Sequence, residues 1–460
     1  MHSGEGKKDF LMHIHEPVGF YRSNFNKCGI FTDEFFNKNV LYRQDSKKGM
    51  ARIRIKNFGP IRQGRLDNDG WLDIKNVSVF IGNQGSGKNC VAKLISTFMW
   101  IEKALVRSNY AIADFSAEKF RSTYCGYHRI ERYFYNKQNE DTAELEYEGE
   151  AYSMKYNKGN FEITKRPMGE YHLPQIMYVP AERNFISIIK EAKSLKALPD
   201  SLLEYLTEFN NAKDAIKGHL SLPINEASIE YDKLGDVINV SGKDYTVELS
   251  EASSGFQSLV PLFLVSWYLV NRVKGQVGNP QKMSQDESQR FNEGVKSIWA
   301  DKSLTDEQRR IALSALSAQF NKTAFVNIVE EPEQNLFPSS QWKIIQSLLA
   351  FNNSLEANKL IITTHSPYLI NVLTIAVKAG MLKEKSASNN DVLEQINAVY
   401  PIDSSMNPTD IAIYELDEGN GSISLLKTYQ GLPSDDNFLN NMLEEANETF
   451  AELLEIQQTL

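Results

Sequence analysis

The chain has 460 residues, 42% apolar and 24% charged, with a formal net charge of −9 and a pI near 5.5, an ordinary soluble globular composition with no global basic field to attract nucleic acid. Its three cysteines, Cys28, Cys90 and Cys125, have no metal-ligand spacing and cannot build a disulfide framework. No signal-like N-terminus is present, and the longest apolar run, Leu259 to Val270, is interrupted by Pro261 and Ser266, so a cytoplasmic protein without a membrane partner is expected.

Residues 1–49 are polar and aromatic without periodicity; they read as a native N-terminal extension or as a gene start placed too early. Ala51 to Ile61 alternates Ile53 and Ile55 with basic side chains, the pattern of a half-buried strand, and the main domain is expected to start there. Val77 to Ile81 is a buried-type strand entering a glycine loop, with helical periodicity after it to about Arg107. Hairpin strands are predicted at Glu144–Tyr147, Tyr152–Tyr156 and Phe161–Thr164, and another buried strand at Ile176–Val179. Helices broken by Pro199 fill 184–218, and strands with turns at Leu234–Gly235 and Ser241–Gly242 fill Ile229–Leu249.

An apolar helix is expected over Phe256–Val273, then a polar helical insertion over 274–322. Two apolar strands, Ala324–Val329 and Lys359–Thr363, flank a helix at Ser339–Phe351, which predicts parallel sheet buried on both faces. A hairpin follows over Ile411–Leu426, turning at Gly419-Asn420-Gly421. Residues 428–460 hold seven acidic and no basic side chains. Leu439, Leu443, Ala446, Phe450 and Leu453 recur there at helical spacing, so an amphipathic acidic helix over 431–460 is expected to dock on this chain or on a partner, the alternative being a solvated tail.

Four motifs carry chemistry. Gly82-Asn83-Gln84-Gly85-Ser86-Gly87-Lys88 fits G-x-x-x-x-G-K between a strand and a helix: glycines turn backbone N–H groups toward phosphate oxygens, the helix start adds its dipole, and the lysine reaches the outer phosphates. Asn89 stands where a Ser or Thr would bind Mg²⁺, and its longer neutral amide favours ATP binding over fast hydrolysis. The strand ending Val329-Glu330-Glu331-Pro332 resembles a Walker B strand, with Glu330 acting on Mg²⁺, through water, and Glu331 polarising the attacking water. Ser253-Ser254-Gly255-Phe256-Gln257 resembles the LSGGQ signature, with Phe256 in place of its second glycine; a plain Ser N-cap is the bland alternative. Thr364-His365-Ser366-Pro367 resembles the H-loop, whose histidine contacts the γ-phosphate.

Taken in order, these motifs resemble the ABC/SMC-related ATPases of the overcoming-lysogenization-defect and AAA15/AAA21 type, which include ATPase subunits of the bacterial anti-phage systems PARIS and Septu. The resemblance spans about residues 51–430 and extends to Asn57–Ile61 (NFGPI), Val179–Arg183 (VPAER) and Glu331–Pro338 (EPEQNLFP), where Asn335 and Phe337 replace histidines frequent in the family. It implies an α/β ABC-type P-loop ATPase head with a mixed sheet, an antiparallel β subdomain and helical insertions, the helical and β insertions lying at about 108–250 and 274–322. It also implies ATP and Mg²⁺ as cofactors. Carried over by motif, the nucleotide contacts are Gly82, Asn83, Gln84, Gly85, Ser86, Gly87, Lys88, Asn89, Ser254, Gly255 and Gln257. Asn89 and Glu330 are the metal ligands and Glu331 and His365 the catalytic pair, with Gln175 as Q-loop candidate.

An ABC site is shared by two chains, so a head-to-tail dimer or a larger homo-oligomer is expected. Glu418-Gly419 after a strand could open a nuclease site of the TOPRIM kind, but Asp435-Asp436 comes too soon after it and a turn is the better reading. Destructive activity is therefore expected on a separate effector, a nuclease or toxin, and the resemblance implies that the chain is an ATP-dependent sensor or regulatory scaffold in phage defence. The alternative is an SMC/Rad50-like clamp on DNA, for which the long coiled coil and basic strip are not evident between Lys88 and Ser253; nucleic acid stays open as a partner. A third reading is an ATP-binding module without turnover.

Overall fold

Alternation makes β1 (Arg52–Lys56) one-sided: Ile53 and Ile55 are fully buried while Arg52 and Arg54 face solvent. The computed structural model describes residues 50–107, 110–167, 171–188, 198–276, 285–302 and 322–458, with single positions at 312, 316 and 320. The expected extension over 1–49 and much of the expected insertion over 274–322 lie outside them. In chain order β1 is followed by β2 (Gly64–Arg65), β3 (Leu72–Asp73), β4 (Val77–Gly82) and α1 (Lys88–Val106). Next come β5 (Glu144–Glu148), β6 (Tyr152–Asn157), β7 (Asn160–Lys165), β8 (Pro174–Val179), α2 (Asn184–Ile188) and α3 (Asp200–Ala215). Then follow β9 (Leu220–Ser221), β10 (Ser228–Asp232), β11 (Val237–Ser241), β12 (Thr246–Glu248), α4 (Ser254–Gln276) and α5 (Gln285–Ala300). The chain closes with β13 (Ala324–Glu330), α6 (Pro338–Asn353), β14 (Lys359–Thr364), α7 (Pro367–Lys385), α8 (Asn390–Val399), β15 (Ile411–Leu416), β16 (Ser422–Leu425) and α9 (Phe438–Gln458).

The central sheet has seven strands in the order β2-β16-β15-β4-β14-β13-β8. Its five strands from β15 to β8 are parallel and β16 is antiparallel to β15, the mixed sheet expected. Side chains alternate across it. Val79, Phe325, Val329 and Ile362 pack on one face with α3, α4, α6 and α7. Phe80, Val326, Ile328 and Ile361 pack on the other with α1 and the antiparallel sheet β3-β1-β5-β6-β7. Burial on both sides is why these strands read as unbroken apolar runs; each fully buried Val, Leu or Ile contributes about 2 kcal/mol.

The antiparallel sheet turns its other face to water, where Arg52 pairs with Glu148 at 2.8 Å, Arg54 with Glu146 at 2.6 Å and Lys155 with Glu146 at 3.1 Å. A second antiparallel sheet, β12-β11-β10-β9, leads into α4. α4 carries Pro261 inside it. Proline has no N–H for the carbonyl four residues back, and the hydroxyl of Ser187 donates to that carbonyl, Gln257 O, at 2.8 Å.

The C-terminal segment is helical from Phe438, not from 431 as expected, because Leu432–Pro433 pair as a short strand before it; the helix does not dock along its length on the described residues. Leu439 packs on the core and the Phe438 N–H donates to Glu415 at 3.0 Å. Beyond them Met442, Phe450, Leu453 and Ile456 are 64%, 62%, 59% and 58% exposed, so these side chains face solvent.

Candidate nucleotide-binding site

The parallel strands bring their C-terminal ends to one edge, and the candidate residues converge there. At the end of β4 the chain turns through Gly82 (φ 146°) and Gly87 (φ 104°) into α1. Both glycines are required by space as well. A Cβ on Gly82 would lie 2.4 Å from Leu416 O, and one on Gly87 would lie 2.8 Å from Ile61 Cγ1, so the NFGPI segment backs the loop. Lys88, 4% exposed, curls into the loop and donates to Gly82 O and Asn83 O, both at 2.9 Å. Burial lowers its pKa to about 8, opposed by the charges of Glu331, Glu333 and Glu418. The buried Ser86 hydroxyl has no partner among the described residues. An oxyanion entering this loop would meet a desolvated cation and a free hydroxyl, so the residues fit a nucleotide's phosphates.

Glu330 ends β13 on the α1 side of the sheet. It is 3% exposed and accepts hydrogen bonds from the Tyr178 hydroxyl and from the Ala181 N–H at 3.1 Å, with Lys93 Nζ 3.9 Å away. Burial raises its pKa, an effect that Lys93 and the hydrogen bonds oppose. Asn89, half-buried, makes no side-chain hydrogen bond among the described residues. Divalent metal chemistry here would therefore draw on Asn89 as a neutral oxygen donor and on Glu330 through water, since both Glu330 oxygens already accept hydrogen bonds. Among the described residues no group of three His, Cys, Asp or Glu side chains could hold a metal ion by itself.

Glu331 follows in the left-handed region (φ 44°), its N–H donating to Thr363 O at 2.8 Å. The turn aims its carboxylate at the loop, with Oε1 3.6 Å from His365 Nε2. Burial and the nearby Lys88 lower the pKa of His365, which keeps the ring neutral at pH 7. Glu333 then fixes this histidine's backbone, accepting from His365 N–H at 2.7 Å and from the Thr364 hydroxyl at 2.8 Å. Lys88, Glu331 and His365 thus form one cluster.

The signature-like residues lie elsewhere. Ser253 and Ser254 are exposed at the start of α4, and no side-chain bond is formed by Ser254 among the described residues. Gly255 lies against the loop after β13, where a Cβ would come 3.2 Å from Asn335 O. Phe256, where the pattern has glycine, is a core residue at 7% exposure. Gln257 turns back and donates to Ser250 O at 3.0 Å, so its amide is engaged within its own loop.

Gln175 stands at the start of β8, in register with Phe325 at the start of β13, the sheet edge opposite Lys88. Glu418 serves the phosphate loop instead of a nuclease site: it accepts from Asn83 Nδ2 at 2.8 Å. Sequence reasoning gave no role to Tyr178, Lys93, Arg183 or Glu333. The VPAER and EPE strings were the available signals for Arg183 and Glu333; nothing local marks Tyr178 or Lys93.

A search of curated proteins returns no match. Among solved structures the chain is similar to an SMC head domain from Thermotoga maritima, at 10% identity and TM-score 0.32, covering 83% of this chain and 99% of that one. It is also similar to an SmcHead bound to the C-winged helix domain of ScpA, at 11% identity and TM-score 0.33, covering 83% and 98%. A third is a dimeric bacterial ABC transporter cassette, at 12% identity and TM-score 0.22, covering 82% and 100%. Among the described residues no helix is long and apolar enough to cross a membrane. The AAA_15 family, described as an AAA ATPase domain, matches residues 102–370, a stretch holding the α4 start, Glu330, Glu331 and His365 but beginning after the phosphate loop. That match covers more than half of the chain, which therefore belongs to the AAA_15 family and is an ATP-binding ATPase.

Proposed function

We propose that the chain is a nucleotide-driven regulatory subunit of a bacterial anti-phage system, controlling a separate nuclease or toxin. In this reading residues 51–430 form the ATPase domain, and residues 82–89 hold ATP with Mg²⁺. Lys88 neutralises the outer phosphates, Glu331 orients and deprotonates the attacking water, and neutral His365 keeps that carboxylate in place. The observation that carries the reading is the burial of Lys88 in a glycine turn at the same sheet edge as Glu331 and His365. Turnover is slow because Asn89 replaces a hydroxyl and Glu330 is already hydrogen-bonded. The motif order supports the defence role. The pairing of Arg52 and Arg54 with glutamates supports it over a DNA clamp, since these cations give no free basic strip.

The exposed Ser254 supports assembly. One chain supplies Lys88 and Glu331, and a second supplies Ser254 and Gly255 across the γ-phosphate. ATP then favours a head-to-tail dimer, or a larger ring of such dimers, because only the closed pair offers both sets of groups. Mass measurement with and without ATP tests this. The parent gains mass in steps of one chain on adding ATP, and Ser254→Arg does not. A parent that is monomeric in both conditions removes the two-chain site. For the biological role, phage plating on cells carrying this gene with its neighbours is compared with Lys88→Ala; equal protection removes the nucleotide dependence, and no protection by the parent removes the defence assignment.

A further inference from the structure

Arg183 is 0% exposed and makes no ion pair among the described residues; each of its hydrogen bonds goes to a backbone carbonyl. Nη1 donates to Glu330 O and Nη2 to Glu331 O, both at 2.7 Å, and Nη1 makes a longer bond to Pro180 O at 3.4 Å. Nε donates to Ser258 O in the first turns of α4 at 3.1 Å. A buried guanidinium satisfied only by carbonyls forfeits much of its hydration, and an apolar side chain would fill the space more cheaply. What it does supply is a rigid planar fork that fixes the carboxylate turn and the signature helix at a set distance from each other.

Independent contacts follow the same line. The helix is opened at this level by Pro261, and Ser187 bonds the Gln257 carbonyl that the proline leaves free. Asn335, in the loop after Glu331, donates from Nδ2 to Ser258 Oγ at 2.9 Å, and its carbonyl lies against Gly255. The turn that carries Glu331 is therefore tied at several points to the turn that carries Ser254, although Ser254 serves a different nucleotide.

We infer that Arg183 is a positioning residue that couples the two half-sites of one chain: movement of the Glu330–Glu331 turn on nucleotide binding is passed through the guanidinium to the start of α4. Filling one site thereby sets the readiness of the serine that completes the other. The inference rests on the nucleotide reading above.

Hydrogen exchange with mass spectrometry tests it, with the magnesium complex of the non-hydrolysable analogue AMP-PNP as probe. All chains are full length and carry Ser254→Arg, so that closure of two chains does not itself shield the helix. In the reference chain the probe slows exchange over 82–90 and changes it over 255–262. Arg183→Lys, which keeps the charge but not the fork, retains the response at 82–90 and loses it at 255–262. Asn335→Gly keeps the left-handed backbone, removes the side-chain bond and weakens the distal response; should Arg183→Lys fail to fold, this variant decides alone. An unchanged distal response overturns the inference while leaving nucleotide binding intact. Loss at both segments makes Arg183 merely structural and overturns it too. No response at 82–90 in the reference chain overturns the nucleotide reading first, and the coupling with it.

Discussion

The phosphate loop and the start of α4 use the same device, a helix N-terminus with small residues, yet they are finished differently. At the first, Lys88 is 4% exposed and its ammonium group already has two carbonyl partners. At the second, Ser253 and Ser254 are exposed and Ser254 has no side-chain partner among the described residues. A group that is desolvated and held before its ligand arrives has little left to reorganise, so it gives affinity. A group left in water waits for a surface that another molecule brings. On the proposed reading, the contrast gives binding to the first helix start and assembly to the second.

Removing the first should be the larger effect. Lys88→Ala takes away the buried cation, and ATP affinity in calorimetry should fall by about a hundredfold or more, the size of a lost charge-assisted bond. Equal binding by mutant and parent would break the contrast outright. Glu331→Gln should leave affinity intact and lower phosphate release by about a hundredfold or more, as expected when a general base is removed.

The comparison is sharpened by pH. Free Lys88 has a pKa lowered to about 8, and a bound phosphate stabilises its charged form. Affinity should hold below that value and be lost as pH rises through it, falling about tenfold from pH 7 to pH 9. A titration flat over that range would show that the lysine is charged throughout. The smallest change should come from Asn89→Ser, which supplies a compact hydroxyl and should raise Mg²⁺-dependent turnover several-fold with affinity unaltered. A vigorous parent ATPase, unmoved by this exchange, would show the amide to be an adequate ligand.

The sheet edge was legible because its parts are local: an apolar run, a glycine turn and a carboxylate or histidine just past a strand. What joins them was not. Tyr178 reaches Glu330 across 152 residues of sequence, and Glu418 reaches Asn83 across 335, because parallel strands neighbour each other in space without doing so along the chain. Gln175 shows the converse. A glutamine on a buried strand looks suitable until the register puts it at the wrong end. Phe256 departs from the signature pattern because its side chain is needed in the core, a demand that no motif expresses. The periodicity within residues 431–460 gave the helix of 438–458 but neither its start nor what would cover it.

The backbone at Glu331 sets stability against function. Its φ of 44° is a conformation that glycine adopts freely and that a residue with a Cβ adopts at a penalty of about 1 kcal/mol. Glu331→Gly should therefore raise the melting temperature while discarding the carboxylate, whereas Glu331→Gln keeps the strain and loses only the charge. A screen for thermal resistance alone would be drawn toward glycine here, and its best variant would hold nucleotide without consuming it.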